Sequence, residues 1–194
     1  MRRTGIVILA AGASRRLGMP KQQVRFRQQS LLQRILHTAQ HTTARPIVVV
    51  LGAFADTILP DTQDSEAAVV INANWENGMG SSVQTGVQEI LRIDNTVSDI
   101  MVLLCDQPFI TPALLGKLMD THYQENKGIT ACAYGGTKGT PVIFHQKYFS
   151  RLITLDGQEG AKKIIQQHPD DLATVPFPEG IIDIDTPGDL ELLR

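Results

Sequence analysis

Apolar residues along this chain fall into short, nearly continuous runs separated by amphipathic stretches. Ile47-Val48-Val49-Val50-Leu51 and Ile100-Met101-Val102-Leu103-Leu104 contain no polar member. Such runs are the pattern of strands covered on both faces, as in a mostly parallel sheet. Apolar runs, several of them continuous like these, predict strands at residues 5–10, 46–51, 67–72, 99–105, 129–133, 141–144, 172–175 and 181–184. Between them the period changes to that of a helix. Ser30 can cap a helix in which Leu31, Leu32, Ile35, Leu36 and Ala39 share a face, and Val83, Val87, Ile90 and Leu91 mark a second. Thr111-Pro112 opens a third, an N-cap followed by proline at the first helical position, with Leu114, Leu115, Leu118 and Met119 as its stripe. A fourth is predicted over residues 160–168. The last opens at Thr186-Pro187-Gly188-Asp189, where Asp189 stands as in a capping box. This alternation implies a layered α/β domain. No long linker, low-complexity stretch or repeat interrupts it, so residues 1–194 are expected to form a single domain. Only residues 132–155 are less regular, and they are expected to form a sub-lobe over the site.

Composition narrows the classes. A chain of 194 residues with 42% hydrophobic content and mean hydropathy of −0.06 is ordinary for a soluble protein with a full core. A net charge of −2 speaks against a nucleic-acid binder, which carries a basic excess. No apolar run reaches the ~18 residues of a membrane span, and the N-terminus shows no signal peptide. Cys105 and Cys132 lie in apolar runs, as buried free thiols of a cytoplasmic protein do. There is no C-x-x-C, so a cysteine metal site is not expected.

Candidate chemistry gathers at strand ends, where ligands bind in open α/β sheets. The loop Leu9-Ala10-Ala11-Gly12-Ala13-Ser14-Arg15-Arg16-Leu17-Gly18-Met19-Pro20-Lys21 follows the first strand. Small residues admit a ligand close to the backbone, and exposed amides with Arg and Lys suit a polyphosphate. The loop matches neither the P-loop nor the dinucleotide fingerprint. Its alternative reading is a strand-to-helix turn with solvated arginines. Asp106, in Cys105-Asp106-Gln107-Pro108, and Asp185, in Asp183-Ile184-Asp185-Thr186-Pro187, close two other predicted strands. Two carboxylates beside a phosphate loop call for a cation between them, and Mg²⁺ uses one or two carboxylates plus substrate phosphates. Taken singly, each aspartate reads equally well as a cap. In Asn77-Gly78-Met79-Gly80-Ser81-Ser82-Val83 the serines either face a base or ribose, or cap the next helix. The five histidines are expected in surface or packing roles.

These motifs, in this order, resemble those of the MobA-like nucleotidyltransferases, with Leu17 in place of the usual Met. Within that group the chain is most similar to the molybdenum cofactor cytidylyltransferases, the MocA-like branch. The resemblance spans nearly the whole chain and includes Asn77-Gly78-Met79-Gly80-Ser81-Ser82, Asp106-Gln107-Pro108, Gly139-Thr140-Pro141-Val142-Ile143-Phe144 and Asp183-Ile184-Asp185-Thr186-Pro187-Gly188-Asp189-Leu190. It implies a three-layer α/β/α sandwich with a mostly parallel sheet, the nucleotide-diphospho-sugar transferase-like fold. It implies an Mg²⁺-dependent enzyme that moves a nucleoside monophosphate from an NTP to an acceptor phosphate and releases pyrophosphate. By position, Leu9, Ala10, Ala11, Gly12 and Ser82 would hold the nucleotide, Arg16 and Lys21 the triphosphate, and Asp106 and Asp185 the metal. Leu-Ala-Ala-Gly, rather than Leu-Ala-Gly-Gly, points to CTP. The acceptor implied is molybdopterin or the molybdenum cofactor, with transient contact to a molybdoenzyme or its chaperone. Alternatives are another phosphorylated acceptor, or a non-catalytic nucleotide-binding regulator. The family often carries Gly-Asp-x-Gly-Ala-Arg where this chain has Gly157-Gln158-Glu159-Gly160-Ala161-Lys162. Lys and Arg are not equivalent at a bidentate phosphate contact, so this departure concerns the acceptor rather than the nucleotide.

Overall fold

The computed structural model describes residues 2–156 and 160–193. The apolar runs form strands β1 (Thr4–Ala10), β4 (Ile47–Leu51), β5 (Ala68–Ile71), β6 (Asp99–Leu104), β7 (Ile129–Tyr134), β8 (Thr137–His145) and β9 (Leu172–Pro176), while β2 (Arg25–Phe26) and β3 (Gln29–Ser30) make a separate hairpin. The helices are α1 (Leu31–Gln40), α2 (Ala55–Ile58), α3 (Met79–Ile93), α4 (Pro112–Glu125), α5 (Phe149–Leu152) and α6 (Lys162–Gln167). The seven-stranded sheet has the order β5-β4-β1-β6-β8-β7-β9. Only β8 runs against the others, pairing antiparallel with both β6 and β7.

All seven residues of β1 are buried, because the sheet is covered on both sides. Ile6 and Ile8 pack with Leu32, Ile35 and Leu36 of α1 and Leu115 and Leu118 of α4. Val7 and Leu9 face the other way, onto Val83, Val87 and Ile90 of α3. This is the three-layer arrangement with a mostly parallel sheet. Caps fix where the helices begin. The Ser30 hydroxyl accepts from Gln33 N while the Gln33 side chain accepts from Ser30 N, and Thr111 caps α4 ahead of Pro112. The parallel register places the carboxyl ends of β4, β1 and β6 side by side, at Leu51, Ala10 and Leu104.

Three expectations are corrected. Residues 181–184 form no strand: a 3-10 turn over Pro178–Ile181 leads into an irregular segment. Its apolar alternation has another cause, since Ile184 is buried among Leu17, Val24, Phe26 and Leu31, and its N–H bonds Asp106 O, 3.1 Å away, rather than a strand. The final helix is 3-10, over Pro187–Leu193, although Asp189 Oδ2 does accept from Thr186 N at 2.7 Å. The segment 132–155 is no irregular sub-lobe. The Gly135-Gly136 turn, with φ of 52° and 72°, folds β8 back onto β7 and into the main sheet. Part of the Gly157-Gln158-Glu159-Gly160 departure lies outside the described residues.

Candidate active site

The loop after β1 is held from beneath. Gln22, fully buried, donates from Nε2 to Ala10 O at 2.7 Å and Gly12 O at 3.1 Å. Ser14 turns the chain: its carbonyl accepts from Leu17 N and Gly18 N, and its hydroxyl accepts from Lys21 N at 3.0 Å. Gly18 takes φ 78°, a left-handed conformation that glycine adopts without strain.

This loop delivers Lys21 to the two aspartates. Its Nζ lies 2.5 Å from Asp106 Oδ2 and 2.9 Å from Asp185 Oδ1. Arg16 Nη2 pairs with Asp185 Oδ2 at 2.7 Å from the exposed side. Burial works to lower the Lys21 pKa, but the Asp106 charge and the bonds to both carboxylates outweigh it and raise it, so Lys21 stays charged. Asp106 Oδ1 is buried with no hydrogen-bond partner. Asp183 stands beside this cluster, its pKa pushed up to about 6 by burial and by the Asp106 and Asp185 charges.

Two cavities meet here. One, of about 370 Å³, is lined by Leu9, Ala10, Ala11, Gly12, Lys21, Ser82 and Asp106, together with Trp75. Arg16 and Asp185 do not line it and join it through their contacts with each other and with Lys21. The second cavity, about 340 Å³, shares Leu9, Met79 and Leu104 with the first and extends past Tyr134, Ile181 and Asp183 to Lys138 and Lys162. Ser81 and Ser82 do not cap α3, whose N-cap is Gly78. Buried Asn72 donates to their hydroxyls at 2.9 and 3.0 Å, fixing Ser82 at the cavity wall.

Gln22, Asn72, Trp75 and Asp183 are the site residues that sequence reasoning passed over. Asn72 ended a predicted strand at the same sheet edge and Asp183 shared a motif with Asp185, so both left a trace. Gln22 and Trp75 left none. The thiols are not candidates for chemistry: burial first, and for Cys105 the Asp106 charge as well, push both up to about 12.

The donor set fits a divalent cation. It offers hard carboxylate oxygens, one of them a buried acceptor without a partner. Among the described residues no three His, Cys, Asp or Glu side chains converge on one point.

A loop of small residues and two convergent aspartates stand at the carboxyl edge of a mostly parallel sheet, and the sheet and its covering helices are those of the nucleotide-diphospho-sugar transferase-like fold. The model of the MobA-like NTP transferase domain matches residues 6–172, and the chain belongs to that family. Nicotine blue oxidoreductase of Paenarthrobacter nicotinovorans is 29% identical over 172 residues, covering 84% of this chain and 81% of that protein. Rv0371c of Mycobacterium tuberculosis superposes with a TM-score of 0.84 at 26% identity, over 99% of this chain and 97% of that one. A structure of Rv0371c in complex with manganese gives 0.78 at 23%, with the same coverage. Molybdopterin-guanine dinucleotide biosynthesis protein A of Archaeoglobus fulgidus shares the fold, with a TM-score of 0.71 at 16% identity over 97% of this chain and 96% of that one. Among the described residues no helix is long and apolar enough to cross a membrane.

Proposed function

We propose that this protein transfers CMP from CTP to the phosphate of molybdopterin or its molybdenum cofactor, releasing pyrophosphate. The observation that carries the reading is Lys21 held between Asp106 and Asp185 at the mouth of the loop cavity. The loop amides and Lys21 would take the triphosphate, Arg16 would cover it from solvent, and Ala11 and Ser82 would face the nucleoside. Asp106 and Asp185 would hold Mg²⁺, which when bound supplies charge neutralisation at the α-phosphate and leaving group. Manganese in the Rv0371c complex supports a divalent ion. The acceptor would lie in the adjoining cavity. Its Met79, Leu104, Tyr134 and Ile181 suit a flat ring, and Lys138 and Lys162 suit its phosphate. An acceptor phosphate is mostly ionised at neutral pH, its second pKa being about 6, so no general base is required. Among the described residues no histidine lines either cavity. Preorganised cations are then the main contribution of the chain.

The test is pyrophosphate release with Mg²⁺, molybdopterin and each of CTP, GTP, ATP and UTP, alongside thermal shifts with the same nucleotides. CTP is expected to be selected in both. GTP preference would overturn the cytidylyl assignment, and no response to any nucleotide would overturn the transferase reading. Asp106→Ala is expected to abolish pyrophosphate release while the protein remains folded. Near wild-type turnover of that variant in saturating Mg²⁺ would remove Asp106 from the metal.

A further inference from the structure

A third cavity, of about 380 Å³, lies behind the Asp106–Pro108 turn and shares no lining residue with the two above. Phe26, Phe109, Phe177 and Leu114 are among its lining residues, with Arg27 and Arg34 beside them. Phe26 and Phe109 meet edge to face, 5.7 Å between centroids. The Arg27 and Arg34 guanidinium carbons lie over the Phe26 ring, 5.0 and 4.6 Å from its centroid. Two like charges are therefore gathered around one ring.

Among the described residues neither arginine forms an ion pair with a carboxylate. The exposed Glu179 also lines the cavity, yet pairs with neither. Arg34 Nη2 donates a long bond of 3.3 Å to Pro108 O, and its Nε is buried with no partner. A buried donor left unpaired is costly. Burial, then the Arg27 charge, pull the Arg34 pKa down, which a bound anion would reverse.

The backbone adds a second observation. Arg27 and Gln28 make the two-residue turn between β2 and β3, with φ of 50° and 70°. Such turns favour Asn-Gly, and non-glycine residues adopt this conformation under strain. The turn sets Arg27 over Phe26. Thr111, the N-cap of α4, also lines the cavity, which puts the N-terminus of that helix at its wall.

We propose that this cavity binds an organic anion with a flat aromatic body, its ring among the phenylalanines and its carboxylate or phosphate on Arg27 and Arg34. The proposal is independent of the nucleotidyl-transfer reading. Calorimetric titration of the nucleotide-free protein with phenyl phosphate, benzoate and inorganic phosphate tests it. At least one aryl anion is expected to bind about tenfold or more tighter than inorganic phosphate; which one it is tells phosphate from carboxylate. Arg27→Gln, at an exposed turn tip, is expected to weaken that binding about tenfold without lowering the unfolding midpoint. Lys21→Gln is expected to leave it unchanged. The proposal is overturned by absence of saturable aryl-anion binding, by equal affinity for inorganic phosphate, or by binding that Lys21→Gln abolishes and Arg27→Gln spares. That last result would place the anion at the triphosphate loop.

Discussion

Lys21 answers two demands at once. It pairs with Asp106 and Asp185 in the free protein, and on the proposed function it would also contact the triphosphate. Replacing it with Met is expected to lower turnover by roughly 10²–10³-fold, the scale of losing one preorganised charge-stabilising donor. Lys21→Arg should not restore it, because a planar fork does not substitute for a compact ammonium between two carboxylates. Pyrophosphate release measures both, and wild-type turnover in Lys21→Met would remove Lys21 from catalysis. That Lys21, Asp106 and Ser82 line one cavity could be anticipated from the sequence, Asp106 because it stands just beyond an apolar run and Lys21 and Ser82 because small-residue segments, 9–21 and 77–83, carry them. Asp185 was legible for the wrong reason: it was placed at a strand end and is delivered by an irregular segment instead. Gln22 was illegible, since no local pattern says that a glutamine will be buried beneath a loop. Gln22→Leu would leave the Ala10 and Gly12 carbonyls without their donor, at about 1–3 kcal/mol for a buried group left unpaired, offset in part by removal of the amide Oε1, itself buried without a partner. A urea midpoint equal to wild type would show that water takes the place of the amide.

At the scale of elements, continuous apolar runs identified β4 and most of β6 because burial on both faces leaves no polar position there. The same rule misled at residues 181–184, where alternation reflects one plug residue, Ile184, rather than a pleat. The β2–β3 hairpin was missed because Arg27-Gln28 is not the residue pair its turn favours. Helix α3 tests how tightly the layers pack. A Cβ on Gly86 would overlap Val7 Cγ1 and stand 3.0 Å from Val50 Cγ2, whereas a Cβ on Gly116 of α4 would meet nothing within 4 Å. Gly to Ala gains about 0.8–1 kcal/mol of helix propensity at either site. At Gly86 overpacking costs about 1–3 kcal/mol, which exceeds that gain. Gly86→Ala is therefore expected to lower the urea midpoint and Gly116→Ala to raise it. Equal shifts of the same sign would show that propensity alone governs both sites.

Across the whole molecule, the end of the sheet remote from the site is tied by a carboxylate. Asp171, just before β9, accepts from Gly128 N at 3.0 Å and from Tyr148 Oη at 2.6 Å, and pairs with Lys147 Nζ at 2.8 Å. One side chain thereby joins the segments flanking β7, β8 and β9. Burial works to raise its pKa, but the Lys147, Tyr148 and Gly128 bonds prevail and lower it from 3.8 to about 2. Between those two values the unfolded chain takes up a proton that the folded protein does not. The stabilisation is therefore complete above about pH 4 and is lost as pH falls towards 2. Asp171→Asn cannot titrate, so it is expected to unfold more readily at neutral pH and to lose less stability on acidification through this window. Thermal midpoints of the two proteins from pH 6 to pH 2 would converge at the acid end. Parallel curves would mean that Asp171 is not a linkage group. Because Asp171 is not among the residues lining the two site cavities, the nucleotide-induced thermal shift at neutral pH is expected to be the same in both. A reduced shift in Asp171→Asn would show that the two ends of the sheet are coupled.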